Sequence, residues 1–194
     1  MDSGIIIPEG YPFSGIELEE IISPYLVQKR VGEIGKEISE LYQDKVPIII
    51  GVLNGAFLFM ADLVRHLHIQ FEVDFIKIDS YGNNTKSSGT VRLLKDISAD
   101  ITGRHVIVVE DIVDTGLSLK FLKRRMEEAS PKSLRFATFL YKPDVASPEV
   151  KIDWAGFNID NRFVVGYGLD LKQIYRGLPG IYAINEDAIN SEKK

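Results

Sequence analysis

Val106–Lys120 reads VIVVEDIVDTGLSLK. Val106–Val109 is a continuous apolar run, and Glu110 and Asp111 follow it at once. Ile112-Val113 intervene before Asp114-Thr115-Gly116, and from about Gly116 to Glu128 the pattern turns helical. An unbroken apolar run of this kind is a strand buried on both faces of a parallel sheet. The stretch therefore predicts a strand ending at Glu110, a turn rich in acids, and a helix. In an open parallel sheet, ligands bind beyond the carboxyl ends of the strands. A helix N-terminus there presents unpaired N–H groups and the positive end of its dipole, which together favour a phosphate. Thr115 and Ser118 add hydroxyl donors, and Gly116 lets a ligand come close to the backbone. Glu110, Asp111 and Asp114 would repel a phosphate, so they must face something else. Vicinal sugar hydroxyls and Mg²⁺ both suit paired acids. The reading is a sugar-phosphate site. The plain alternative, a cap at Asp114 or Thr115 below a solvated strand end, leaves the full run of acids unexplained. A P-loop needs Gly-Lys-Ser/Thr at the helix start, which is absent, and so is a dinucleotide fingerprint.

Outward from this segment the chain alternates strand and helix. Val46–Val52 is a second apolar run, with Asn54-Gly55 as a turn and Ala56–Leu67 as a helix. Phe71–Asp79 alternates in polarity and reads as a half-exposed strand, and Val91–Ile97 as a short one. Leu134–Tyr141 and Phe163–Val165 complete the strands. Residues 17–43 carry apolar positions three to five apart, which predicts one amphipathic helix, or two with a break at Ser23-Pro24. Residues 80–90, SYGNNTKSSGT, predict a mobile loop. The fold class is α/β: a mostly parallel, twisted sheet flanked by helices on both faces. We expect a single domain over 1–194, with a small hood from roughly 1–20 and 167–194.

The chain has 194 residues, 45% hydrophobic and 26% charged, with a net charge of −5 and no cysteine. Disulfides, thiolate metal sites and a cysteine nucleophile are excluded. The acidic balance argues against a general nucleic-acid binder. No apolar run reaches the ~20 residues that span a bilayer. We expect a cytoplasmic protein that does not engage a membrane. His66, His68 and His105 are assigned no role beyond structure or solvation.

At Val108–Leu119 (VVEDIVDTGLSL) the chain resembles a type I phosphoribosyltransferase, matching that family's loop for phosphoribosyl pyrophosphate (PRPP). Four more segments carry the resemblance: Gly51–Phe57 (GVLNGAF), Ser80-Tyr81-Gly82, Tyr141-Lys142-Pro143, and Phe163–Asp170 (FVVGYGLD) with Arg176 beyond. Within the family they resemble the members that take hypoxanthine and guanine. The implied fold is the type I phosphoribosyltransferase fold. The implied reaction moves the 5-phosphoribosyl group of PRPP onto hypoxanthine, and onto guanine, giving IMP or GMP and pyrophosphate. The other function carried by this fold is a regulator that binds nucleotide and nucleic acid without catalysis.

The resemblance also implies roles. Asp114 would accept or share the proton at purine N7. Glu110 and Asp111 would hold the ribose hydroxyls and help place Mg²⁺. Thr115, Gly116, Leu117 and Ser118 would bind the 5′-phosphate. Leu53, Asn54 and Gly55 would form the pyrophosphate loop, whose first peptide can be cis in the family, and Arg176 would clamp pyrophosphate. The family often carries a basic residue where this chain has Asn54. Lys142 would donate to purine O6, Phe163 would stack on the ring, and the backbone of Val164 would bond its edge. Asp170 would ligate one Mg²⁺ and sense the exocyclic position of the base. Ser80 and Tyr81 would belong to a lid that excludes water. Relatives assemble as homodimers or homotetramers.

Overall fold

The computed structural model describes residues 4–80, 91–146, 149 and 151–184. Two sheets organise the chain. The larger has six strands in the order β5-β4-β3-β6-β7-β8. These are β3 (Ile48–Leu53), β4 (Glu72–Ser80), β5 (Val91–Lys95), β6 (His105–Val113), β7 (Ser133–Tyr141) and β8 (Trp154–Asn158). All neighbours run parallel except β4 and β5. The α/β class and the mostly parallel sheet follow the sequence pattern.

Helices α1 (Pro24–Leu41) and α2 (Phe57–Arg65) cover one face, and α3 (Leu117–Glu127) covers the other. Val27, Val31, Ile34 and Ile38 of α1 pack with Phe59 and Leu63 of α2 against Ile49, Ile107 and Phe139. On the opposite face Leu119, Leu122 and Met126 of α3 meet Ile48, Ile50, Val106 and Val108. Because successive strand residues point to opposite faces, β3 and β6 need apolar residues at every position, which is why they read as unbroken apolar runs.

The second sheet is antiparallel, in the order β1-β2-β10-β9, from β1 (Ile5–Ile6), β2 (Glu17–Ile22), β10 (Ile181–Ile184) and β9 (Phe163–Val165). It joins the two ends of the chain around a smaller core that includes Ile7, Phe13, Leu18, Val165 and Tyr182.

Four expectations change. Residues 17–22 form strand β2, not the start of a helix. Ser23 ends the strand by capping α1, its Oγ accepting from Leu26 N at 3.4 Å, with Pro24 in the first turn. Phe163–Val165 pairs with β10 in the second sheet rather than extending the parallel one. Strand β8 was not foreseen; it pairs in parallel with β7 at the sheet edge. Strand β6 runs past Glu110 to Val113, because Ile112 and Val113 stay in register with Leu140 and Tyr141 of β7. Tyr81 and the loop to Thr90 lie outside the described residues, while Ser80 closes β4.

The strand order fixes where a ligand can enter. From β3 the chain crosses through α2 to β4 on one side, and from β6 it crosses through α3 to β7 on the other. The adjacent carboxyl ends of β3 and β6 are thus the switch point of the sheet, where the two connections part and leave a crevice.

The antiparallel margin is pinned by one acid. Asp74 of β4 accepts from the backbone N–H of Phe75 at 2.7 Å, Ser98 at 2.6 Å and Ala99 at 2.8 Å, with Lys95 Nζ at 3.7 Å. Burial alone would raise its pKa, but the three N–H donors and Lys95 together hold it below the usual aspartate value. Asp74→Ala should lower the unfolding free energy at pH 7 by about 1–3 kcal/mol, the cost of stranding those donors. A depressed folded-state pKa gives stability that is present above the unfolded value and lost as pH falls through the folded one. Urea unfolding should therefore separate variant from parent at pH 7 and narrow the gap as pH falls below ~3.9.

Candidate active site

The crevice at the switch point is built by two loops. On one side, β6 ends at Val113 and Asp114-Thr115-Gly116 lead into α3. Gly116 stands at the helix start with φ of 83°, a left-handed conformation that L side chains rarely adopt. Gly116 at the N-cap has no side chain to cap α3, and no acid lies in the first turn. Leu117 N donates to Thr115 Oγ1 at 3.5 Å. The helix start borders a cavity of about 350 Å³ whose wall is the continuous run Glu110–Leu119. Thr115, Gly116, Leu117 and Ser118, read from the sequence as an anion cradle, lie on its wall.

On the other side, β3 ends at Leu53, the Leu53-Asn54 peptide is cis, and Gly55 leads into α2. A second cavity, of about 280 Å³, opens there. It brings together Leu53, Asn54, Gly55, Asp170 and Arg176, and it shares Glu110, Asp111 and Ser118 with the first. The two cavities meet at the acids. A Cβ at Gly55 would collide with Asp111 Oδ2, so only glycine lets the β3 loop lie against the β6 acids.

Both acids sit in poor solvent. Glu110 is 7% exposed, and among the described residues its Oε2 has no hydrogen-bond partner. Burial first, then the neighbouring Asp111, pushes its carboxyl well above the usual range. Burial also pushes Asp111 up to about 6, opposed by the backbone N–H bonds it accepts and by Arg176. Its Oδ1 accepts from Ile112 N at 2.9 Å. Two such acids are poised for a cation or for the hydroxyl donors of a sugar.

Arg176 and Asp170 form an ion pair, Nη2 to Oδ1 at 2.5 Å. Arg176 Nη1 donates to Gly168 O at 2.6 Å and Nη2 to Gln173 Oε1 at 2.9 Å. Asp170 Oδ2 accepts from Gln173 N at 2.7 Å. Asp170 therefore stands at the Asn54–Arg176 end of the crevice.

The third group lies past β7. Lys142 N donates to Val113 O at 3.0 Å, so the last residues of β6 and β7 remain side by side. That register delivers the Lys142 ammonium to Asp114 Oδ2 at 3.3 Å and to Asn161 Oδ1 at 3.4 Å. The lysine side chain is 7% exposed against 51% for Asp114, so a nearly buried cation is held by an open carboxylate. Asn161 escaped the sequence reading; a lone Asn in a polar turn carries no signal. Phe163 and Val164 follow it on β9, where Phe163 is half-buried and Val164 is buried. Neither lines the two cavities described above.

The histidines lie elsewhere. His105 begins β6, at the opposite end of the strand, with Nδ1 2.7 Å from Ser133 Oγ. His66 caps the end of α2, and His68 N donates to Ser39 Oγ at 3.0 Å.

Comparison with known proteins bears on this geometry. The family profile of the phosphoribosyl transferase domain matches residues 20–172. The hypoxanthine-guanine phosphoribosyltransferase of Bacillus subtilis is 44% identical over 161 residues, 83% of this chain and 89% of that protein. The crystal structure of a hypoxanthine-guanine phosphoribosyltransferase from Bacillus anthracis aligns with TM-score 0.81 and 43% identity, over 86% of this chain and 98% of that one. The hypoxanthine phosphoribosyltransferase of Trypanosoma cruzi in complex with the product IMP aligns with TM-score 0.80 and 35% identity, over 93% and 99%.

The raised acids give a stability test. An acid whose folded-state pKa is raised costs nothing while protonated and destabilises the fold as pH rises from its unfolded value through the folded one. For Asp111 that window runs from the ordinary ~3.9 to about 6. Without divalent cations, Asp111→Asn should melt above the parent at pH 8. The gain should shrink as pH falls towards 4, while turnover is lost. A thermal melt series over pH reads it directly.

These matches and the crevice agree on one assignment: the chain belongs to the phosphoribosyltransferase family, within its hypoxanthine-guanine branch.

Proposed function

We propose that this chain is a purine salvage enzyme that transfers the 5-phosphoribosyl group of PRPP to hypoxanthine and to guanine, releasing pyrophosphate. The carrying observation is the crevice itself: the N-terminus of α3 on one side, the adjacent acids Glu110 and Asp111 in the middle, and the Leu53–Gly55 loop facing Arg176 on the far side. That order of donors, acids and donors suits the order of groups in PRPP, which is 5′-phosphate, ribose diol, pyrophosphate.

The roles we propose are those the family resemblance implies. The amides of Thr115–Ser118 and the α3 dipole hold the 5′-phosphate. Glu110 and Asp111 accept from the ribose hydroxyls. Leu53, Asn54 and Gly55, with Arg176, receive the pyrophosphate; Arg176 offers a planar fork of donors, and the Asn54 side chain adds no charge. C1′ gains positive character as the C1′–O bond to pyrophosphate lengthens, so positioning and electrostatic stabilisation carry the catalysis. At the other end Lys142 donates to purine O6, and Asp114 takes or shares the N7 proton. Adenine bears a donor where the 6-oxo group would be, so it offers the Lys142 ammonium no acceptor there. Phe163 stacks on the ring and the Val164 backbone bonds its edge. Ser80 and Tyr81 belong to the lid.

The acids also fit Mg²⁺. This ion binds through one or two carboxylates plus substrate phosphates and water. The partnerless Glu110 Oε2 and the adjacent Asp111 meet that need, and Asp170 stands across the same cavity. Held by Glu110, Asp111 and Asp170, Mg²⁺ would supply positive charge against the departing pyrophosphate. We further read the protein as cytoplasmic, with a hood formed by the second sheet, and as a homodimer or homotetramer. The regulatory reading, with nucleic acid as ligand, has no observation in its favour: the net charge is −5.

Steady-state assay with hypoxanthine, PRPP and Mg²⁺ tests the proposal. IMP and pyrophosphate are expected in equal amounts, and no IMP would refute it. Asp114→Asn should lower kcat by about 10–10³-fold, as for a general base, with PRPP affinity largely kept. An unchanged kcat would remove Asp114 from the mechanism.

A further inference from the structure

The turn that carries Asp170 and Arg176 is held in a conformation its own residues disfavour. Between Gly166 and Arg176, Tyr167, Lys172, Gln173 and Tyr175 all adopt positive φ, at 46°, 50°, 69° and 70°. Each such residue is costly and persists only where surrounding contacts impose it. Tyr167 supplies the innermost of those contacts. Its ring is 4% exposed, tilted against Phe139 with centroids 4.8 Å apart. Its hydroxyl donates to Asp62 Oδ2 at 2.8 Å, an oxygen that also accepts from Gln28 Nε2 at 2.8 Å.

Asp62 lies on α2, the helix that leaves Leu53–Gly55. Gly168, next to Tyr167, packs so closely on Gly55 that a Cβ there would collide with Gly55 O. The carbonyl of the same Gly168 receives Arg176 Nη1 at 2.6 Å. A short path thus runs from Asp62 through Tyr167 and Gly168 to the Arg176 guanidinium. The path reaches the 280 Å³ cavity at Arg176, and Gly55, on which Gly168 packs, lines another of its walls.

We propose that Tyr167 and Asp62 are positioning residues for the pyrophosphate half of the site: their hydrogen bond seats the 166–176 turn on α2 and so sets the gap between Arg176 and the Leu53–Gly55 loop. Neither touches the reacting atoms. The proposal rests on the phosphoribosyltransferase reading above and extends it to residues outside the crevice.

The test separates the two. Calorimetry with Mg²⁺-pyrophosphate and steady-state kinetics are run on the parent, Tyr167→Phe, Asp62→Ala and Asp62→Asn. Tyr167→Phe keeps the buried ring and removes only the hydroxyl. It and Asp62→Ala should weaken pyrophosphate binding and raise KM for PRPP about 3–10-fold, the range for one lost hydrogen bond. KM for hypoxanthine and kcat at saturating PRPP should hold. Asp62→Asn retains an acceptor oxygen and should match the parent. A merely structural bond would lower Tm and the active fraction while leaving both KM values in place, and that result overturns the proposal. So would equal losses for purine and pyrophosphate. Should Tyr167→Phe fail to fold, the two Asp62 variants decide the matter by the same readouts. A parent that neither binds pyrophosphate nor consumes PRPP would refute the functional reading first, and this proposal with it.

Discussion

A buried carboxylate, Glu110, with the partly buried Asp111 beside it where neighbouring strands part, is the constraint around which the rest of this structure is arranged. A buried acid is tolerated when it is protonated, bonded or paired. Asp111 has backbone N–H bonds and the field of Arg176, whereas Glu110 keeps an oxygen with no partner. Left alone, the pair destabilises the fold as pH rises. A ligand that brings positive charge or hydroxyl donors would relieve that cost. A stability sacrifice confined to the mouth of a crevice is the usual mark of a functional site.

Much of the neighbouring geometry accommodates those acids. Gly55 is required because Asp111 occupies the space a side chain would take, and Gly168 because Gly55 occupies the next. The crevice is thereby layered, β6 acids against β3 loop against 166–176 turn, with a glycine at each contact. Charges are distributed by the same logic. The α3 amides face one end and Arg176 the other, each tied to its own strand connection. The buried Lys142 ammonium waits on Asp114 and Asn161. A purine that offers an acceptor at O6 and a proton at N7 would engage both members of that ion pair at once, so the resting contact keeps the base end organised before a ligand arrives.

How much of this was legible depended on whether a residue's role was local. Val106–Lys120 could be read because strand, acids and helix start are consecutive, and consecutive residues at a strand end share one edge. The parallel sheet followed from apolar runs too long to alternate. The 17–22 segment misled because Leu18, Ile21 and Ile22 fit a helical spacing; pairing with β10, some 160 residues away, decided it. Trp154–Asn158 carries a glycine and too short a run to stand out. Phe163–Val165 was visible as a strand, yet three apolar residues cannot say which sheet they join. Asp62, Asn161 and Tyr167 act through contacts between distant segments, and the left-handed residues of 166–176 obey no local preference at all.

The central claim is that the α3 amides hold a monophosphate while the acids beside them take the sugar. A crystal structure of the chain with IMP tests it most directly. The account places the phosphorus within hydrogen-bond reach of the backbone N–H groups between Thr115 and Ser118, with the ribose hydroxyls towards Glu110 and Asp111. A phosphorus seated instead between Asn54 and Arg176, with the α3 start open to water, would contradict it.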